Sequence, residues 1–406
     1  MNFVFVSPNF PTRYFKWVES LRFRGINVLG IGDTPYGDLH PRLVAALNEY
    51  YFVPNMADNY AMERAVEYFQ NKYGKIDFIE SNNEWWLEED ARLREKFGVT
   101  TGFHPSDMGH IKAKSKMKEY FKAGGAKTMR YLLIHGKEDK EAALKFIEEV
   151  GYPVFVKPDV GVGAGDSYSI KTPEALDEFF EKTLPEPYIM EEFVDGRIVS
   201  FDGICNSQGD VVFCCTDHFP VPIDRVVNEG LDHVYYNVPF DLPMIDVNAE
   251  EFERVGRAVV KAFGIKRRFF HIEFFVLNQD KPGLGKKDDF VALECNMRAP
   301  GGYTPDLIDY GSSVSVYDIY ADVIAYDEVR VDLHKKKYYG VASHQKDTLS
   351  YRHNEQEIRA KFGDHVKMSG RYPSHIATVM CDFFIFATFE TYEEAQEFDR
   401  FVRAKR

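Results

Sequence analysis

The stretch Val291-Ala-Leu-Glu294-Cys-Asn296-Met-Arg298-Ala-Pro-Gly301-Gly302 carries the densest chemistry in the sequence. Side chains of a strand alternate between its two faces. Glu294, Asn296 and Arg298 are therefore expected on one face, and Leu293, Cys295 and Met297 on the other. An upstream run, Phe269-Phe-His271-Ile-Glu273-Phe-Phe-Val-Leu277, holds another acid in similar company. Two carboxylates and an amide are hard oxygen donors that suit Mg²⁺ bound together with substrate phosphates. A guanidinium on the same face suits negative charge that develops during a reaction. His271, two residues before Glu273, shares its face and reads as a satisfied neighbour of that acid.

Three further strings supply cations and backbone amides. Tyr152-Pro-Val-Phe-Val-Lys157 ends an apolar strand on a lysine, and a loop with Gly161, Gly163, Gly165 and Ser167 follows. Glycines let backbone N–H groups approach phosphate oxygens, and the lysine adds a point charge. The spacing is not that of a Walker A loop. Lys114 has Met117 and Phe121 at i+3 and i+7, which puts it on the inward stripe of a helix. Lys118 and Lys122 are expected to point elsewhere. An inward lysine needs an anionic partner or a depressed pKa. Tyr188-Ile-Met-Glu191-Glu192-Phe193-Val194 runs into the turn Asp195-Gly196, where backbone groups can read an adenine edge and apolar side chains clasp the ring. Taken singly, each string also has an ordinary reading: a loop after a strand, a snorkelling lysine, or solvated acids at a strand end.

The elements that must position these residues fall into a mixed α/β pattern. Residues 1 to about 105 alternate strands (3–6, 27–31, 76–80) with helices (14–23, 58–73, 88–97), which predicts a parallel βαβ sheet covered by helices. No GxGxxG follows the first strand, so a dinucleotide fingerprint is absent. Residues 106–187 hold the Lys114 helix, strands at 131–134 and 153–157, the glycine loop, a strand at 169–170 and helices at 140–150 and 173–180. Residues 188–330 are mostly strands, with helices at 249–262 and 314–325 and a hairpin loop near 281–289. The tail, 331–406, holds a strand at 381–389 and a closing helix at 392–403. Its run from His375 to Phe389 reads as a buried strand pair, and Arg352, His353 and Arg371 as surface groups.

The order of the motifs carries more than any one of them. Inward lysine, strand lysine with glycine loop, Glu-Glu-Phe-Val hinge, strand glutamate and Glu-x-Asn-x-Arg together resemble the ATP-grasp superfamily over roughly residues 1–325. The resemblance implies an N-terminal pre-ATP-grasp domain (1–105), an ATP-grasp small subdomain (106–187), a large subdomain with the metal site (188–330) and a small C-terminal α+β extension (331–406). It implies that Lys114 and Lys157 contact the α- and β-phosphates of ATP, and that Gly161, Gly163, Gly165 and Ser167 close over the β- and γ-phosphates. Glu191, Glu192 and Val194 match the adenine hinge. Glu273, Glu294 and Asn296 match ligands of one or two Mg²⁺ ions, with Mn²⁺ as an alternative. Arg298 matches the arginine that steadies the transferred phosphoryl group or acyl phosphate. Glu84, which follows a strand of the N-terminal sheet, and the turn Gly301-Gly302 are candidates for substrate contact. Relatives often carry a ribose-binding glutamate where this chain has Ile198, so no ribose contact is assigned.

The activity implied is an ATP-dependent carboxylate–amine ligase that passes through an acyl phosphate and releases ADP and phosphate. Another ATP-grasp enzyme, such as a small-molecule kinase or a carboxylase component, and a non-catalytic nucleotide-binding protein are the alternatives. Composition agrees. Hydrophobic content of 45% and charged content of 28% are those of a soluble globular protein. A net charge of −14 argues against general nucleic-acid binding. The five cysteines include no CxxC pair, which fits a reducing cytoplasm. The N-terminus lacks the basic lead of a secretory leader, and no apolar run is long enough for a membrane span. Expected partners are small-molecule carboxylate and amine substrates, with neither nucleic acid nor membrane, and a homodimer is an open question.

Overall fold

The computed structural model describes residues 1–406 apart from 162–166, 183, 222–224, 227–228, 374–376 and 378–380. Three sheets organise the chain. The first is parallel and four-stranded. Its central strand Asn2–Val6 lies between Asn27–Gly32 and Phe78–Glu80, and Glu49–Phe52 forms one edge. Glu49–Phe52 is an addition to the strands expected. Its tyrosines are half-buried, so the run lacks the apolar signal of its neighbours. One face of this sheet packs under the helices Asn59–Tyr73 and Leu87–Phe97. The other face, with Phe3, Phe5 and Phe78, joins helix Phe15–Phe23 and a core that runs on into Phe269, Tyr317 and Tyr320.

The second sheet is antiparallel, built from Tyr131–Ile134, Tyr188–Glu192, Val154–Pro158 and Tyr168–Ile170. Helices Lys140–Val150 and Pro173–Glu181 cover one side of it with Ile147, Leu176, Phe179 and Phe180. Helix Pro173–Glu181 starts where the sequence marks it: Thr172 caps the Ala175 N–H and Pro173 sits in the first turn.

The third sheet has nine strands. Gly196–Cys205 and Arg268–Leu277 form its centre and pair over ten positions. Phe290–Asn296 lies beside Arg268–Leu277, and Lys127–Thr128 closes that edge. On the other side follow Val211–Phe219, Val234–Pro239, Tyr339–Gln345, Phe383–Phe389 and Val366–Arg371. Three strands of the tail thus extend the sheet that carries the acids. The buried strand pair expected within 375–389 lies partly outside the described residues. Only Phe383–Phe389 is a described strand there, and its partners are the distant Tyr339–Gln345 and Val366–Arg371. Long-range pairing leaves no local periodic mark, which is why the partners were not legible. Arg352, His353 and Arg371 occupy the surface: Arg352 binds the Lys405 carbonyl, His353 stacks on Phe401 and Arg371 pairs with Asp347.

Helix Ala249–Ala262 lies across the back of this sheet and presents Phe252, Val255, Val259 and Val260 to Phe201, Phe270, Ile272 and Phe274. Its Gly256 permits the approach. A Cβ there would stand 2.5 Å from the Phe201 ring. Gly256→Ala gains helix propensity of about 1 kcal/mol but overpacks the interface by roughly 1–3 kcal/mol. The expected outcome is net destabilisation in urea unfolding, and a more stable variant would contradict this packing.

Candidate active site

The site lies where helix Lys114–Ala123, the second sheet and the polar face of the third sheet meet. Glu273 and Glu294 are direct cross-strand partners, and His271 stands opposite Asn296. The register then shifts, from Glu273 opposite Glu294 to Phe274 opposite Ala292, so that Leu293 is an extra residue. This β-bulge corrects the simple alternation expected of the strand. Cys295 and Met297 do turn into the core behind the sheet. Leu293 does not join them. It packs with Met129, Val194, Leu277 and Val291. An apolar side chain and a carboxylate therefore come from consecutive residues of one strand.

Lys114, only 7% exposed, reaches from the first turn of its helix to within 3.4 Å of Glu294 Oε1 and of the Gly161 carbonyl oxygen. Asp159 ties that helix start to the loop: its carboxylate accepts from the Ser115 N–H at 2.7 Å and the Ser115 hydroxyl at 2.8 Å. Lys157 is buried and places its Nζ 3.0 Å from Glu191 Oε2. Burial alone would lower its pKa, but Glu191 and Glu294 together raise it. Lys157 is therefore held as a cation facing both acids. Ser167 is half-buried at the far end of the glycine loop. Gly163 and Gly165 lie outside the described residues.

The two hinge acids face opposite ways, as strand neighbours must. Glu191 is buried and its carboxylate is shared between Lys157 and Lys118. Burial would raise its pKa, yet the two lysines bring it down to about 2. Glu192 turns away to Arg130, accepting at 2.7 Å from Nη2 and at 2.8 Å from the backbone N–H. Only the Glu191 side chain faces the site. Val194, 6% exposed, lines the apolar patch with Leu293. Asp195 is engaged elsewhere, accepting from Asn278 and Gln279.

Lys118 is the clearest correction to the sequence reading. It points inward, is 2% exposed, forms an ion pair with Glu191 and lies 5.6 Å from the Tyr131 ring. Burial lowers its pKa despite Glu191. Its i+4 spacing from Lys114 was the available signal. Asp202 and Ser200 are further residues that the sequence reading passed over. Asp202 Oδ1 lies 2.6 Å from His271 Nδ1, and His271 Nε2 lies 3.2 Å from Glu273 Oε1. Burial would lower the His271 pKa, but these two carboxylates raise it to about 10. His271 thus braces Glu273 from behind, as its place on the strand suggested.

Arg298 binds the Ala299 carbonyl at 3.0 Å and Asn296 Oδ1 at 3.3 Å. Its Nε lies 3.6 Å from Glu84 Oε2. Glu84 opens a short 3-10 turn, Glu84–Trp86, beyond the carboxyl end of the parallel sheet, where α/β sheets take their ligands. Lys112 stands 3.5 Å from its other oxygen. The N-terminal domain is locked to the third sheet nearby, through Glu80 between Arg94 at 2.9 Å and Arg268. Gly301 and Gly302 form the turn after Arg298, and the Gly302 φ of +62° suits glycine.

Among the described residues no three His, Cys, Asp or Glu gather into a closed metal cage. Glu273, Glu294 and Asn296 offer an open set of oxygen donors, a chemistry that suits Mg²⁺ bound together with phosphate. No helix among the described residues is long and apolar enough to cross a membrane.

Glu191 yields a pH test. The stability that its ionised form adds, roughly 3 kcal/mol, is fully present above pH 4.5 and lost as pH falls toward 2. The gap in unfolding free energy between wild type and Glu191→Gln should therefore be widest above pH 4.5 and narrow below it. A gap constant from pH 6 to pH 2 would contradict the paired carboxylate.

Comparison with known proteins agrees with this geometry. The model of the carbamoyl-phosphate synthase L chain ATP binding domain matches residues 113–225. The alanine–anticapsin ligase of Bacillus subtilis (strain 168) is 25% identical over 232 residues, 51% of this chain and 47% of that protein. The chain thus spans about half the length of this curated relative. The crystal structure of an L-amino acid ligase from Bacillus licheniformis superposes with a TM-score of 0.70 at 16% identity, covering 98% of this chain and 96% of that one. The biotin carboxylase domain of the Hydrogenobacter thermophilus 2-oxoglutarate carboxylase, solved with MgADP and bicarbonate, gives 0.70 at 17% identity, covering 97% and 87%. The fold is thus matched over nearly its whole length by these structures, and residues 113–225 are similar in sequence to an ATP-binding domain.

Proposed function

We propose that this protein is an ATP-dependent carboxylate–amine ligase that forms an acyl phosphate, joins it to an amine and releases ADP and phosphate. The observation that carries the reading is the convergence of Lys114 and Lys157 on the paired acids Glu273 and Glu294, with Arg298 on the same strand face. The amino-acid ligase and carboxylase relatives support it, since both chemistries begin by activating a carboxylate or bicarbonate with ATP.

In this reading the base of ATP lies against Val194 and Leu293, with the backbone beside Val194 at its edge. Lys114 and Lys157 take the phosphates. Glu273, Glu294 and Asn296 would hold Mg²⁺, which would neutralise phosphate charge when bound. A substrate carboxylate oxygen attacks the γ-phosphorus, and the bond to the β-phosphate oxygen breaks to give ADP. Arg298 steadies the charge on the acyl phosphate. The amine then attacks the acyl carbon, phosphate leaves, and the nitrogen loses a proton. Positioning and charge supply the catalysis, because phosphoryl transfer asks little covalent help of the protein. Glu84 and the Gly301-Gly302 turn, beside Arg298, are the substrate side of the site. The acceptors are small molecules.

Pooled amino acids and small carboxylates test this directly. ADP release should require both a carboxylate and an amine, with a condensed product found by mass. Release of AMP and pyrophosphate, or a phosphorylated product that persists without any amine, would overturn the ligase reading. Arg298→Ala and Glu294→Gln should each lower turnover by about 10²–10³, the cost of one electrostatic contact to the reacting charge, while circular dichroism stays native. Full turnover in either variant would remove that residue from the machinery.

A further inference from the structure

Glu191 is over-supplied with cations for a structural ion pair. Lys157 approaches one carboxylate oxygen at 3.0 Å and Lys118 pairs with the other, all three side chains being buried. The lysines come from different elements: Lys157 from strand Val154–Pro158, at the root of the glycine loop, and Lys118 from helix Lys114–Ala123. Lys157 also feels Glu294 and Glu273 across the cleft. Lys118 lies on the Tyr131 side, and its strongest charge partner is Glu191.

We infer that Lys118 is a positioning residue that frees Lys157 for the nucleotide. A phosphate arriving in the cleft competes with Glu191 for the Lys157 ammonium. Without Lys118, giving up that lysine would strand a buried carboxylate with no counter-charge, which is strongly unfavourable. With Lys118 in place, Glu191 keeps one full ion pair while Lys157 turns to a phosphate oxygen. Lys118 itself needs no contact with ATP. This inference rests on the nucleotide site proposed above and deepens it by assigning a division of labour between the two buried lysines.

The division predicts an effect confined to ligands that carry phosphate. Lys118→Met should weaken ADP binding by about tenfold to a hundredfold, while adenosine, which makes no demand on Lys157, should bind within about twofold of wild type. Lys118→Arg retains the charge and should bind ADP nearly as wild type does. The double variant Lys118→Met, Glu191→Gln removes the stranded carboxylate and should recover ADP affinity over the single one. Calorimetry with ADP and adenosine on the four proteins, each checked by thermal melting, decides it. Equal loss of ADP and adenosine in Lys118→Met, unchanged ADP binding, or no recovery in the double variant would each overturn the inference. Absence of ADP binding by wild type would overturn the nucleotide site itself. If Lys118→Met does not fold, the comparison of Lys118→Arg and the double variant with wild type still decides it: weak ADP binding in both, with adenosine retained, would overturn the role.

Discussion

One buried carboxylate sets the electrostatics of the cleft. Glu191 lies between Lys118 and Lys157 with almost no exposure to solvent. Burying cations is costly unless they are paired, and this acid is the partner that lets two lysines stay inside. It also ties elements together, because the strand that ends at Glu192 bonds to both Val154–Pro158 and Tyr131–Ile134 while Lys118 links it to helix Lys114–Ala123. Remove the charge of Glu191 and both Lys118 and Lys157 lose their nearest counter-charge.

Opposite this cluster, the register of two strands does the equivalent work for the acids. Pairing of Glu273 with Glu294 puts two carboxylates at neighbouring cross-strand positions, where like charges repel. His271 and Lys114 offset that repulsion from either side. The bulge at Leu293 then lets one strand present an apolar side chain and a carboxylate within two residues. Under the proposed function, the cation of a nucleotide would take its place against these two acids.

Much of this was legible in the sequence because the chemical residues sit on short, regular elements. Strand alternation placed Glu294, Asn296 and Arg298 together, and helix periodicity put Lys114 inward. What alternation cannot register is an inserted residue, so Leu293 was assigned to the wrong face. What a stripe of apolar neighbours cannot register is a lysine whose partner lies 73 residues away, so Lys118 was expected to point away from the inward stripe although it pairs with Glu191. The tail failed for the same reason at larger scale. Its strands announce burial, but only the fold tells that they complete the sheet bearing the acids. Glu192 was expected at a hinge by resemblance, and its carboxylate serves Arg130, a pairing that no local pattern announces.

The central claim is that the lysines and the acids form two sides of one nucleotide–metal site. Crystals grown with Mn²⁺ and a non-hydrolysable ATP analogue, measured for anomalous scattering, test it most directly. The account predicts Mn²⁺ peaks on the Glu273–Glu294–Asn296 edge, with the triphosphate between that edge and Lys114 and Lys157. A nucleotide bound elsewhere, or one bound in the cleft with no ion on that edge, would contradict it.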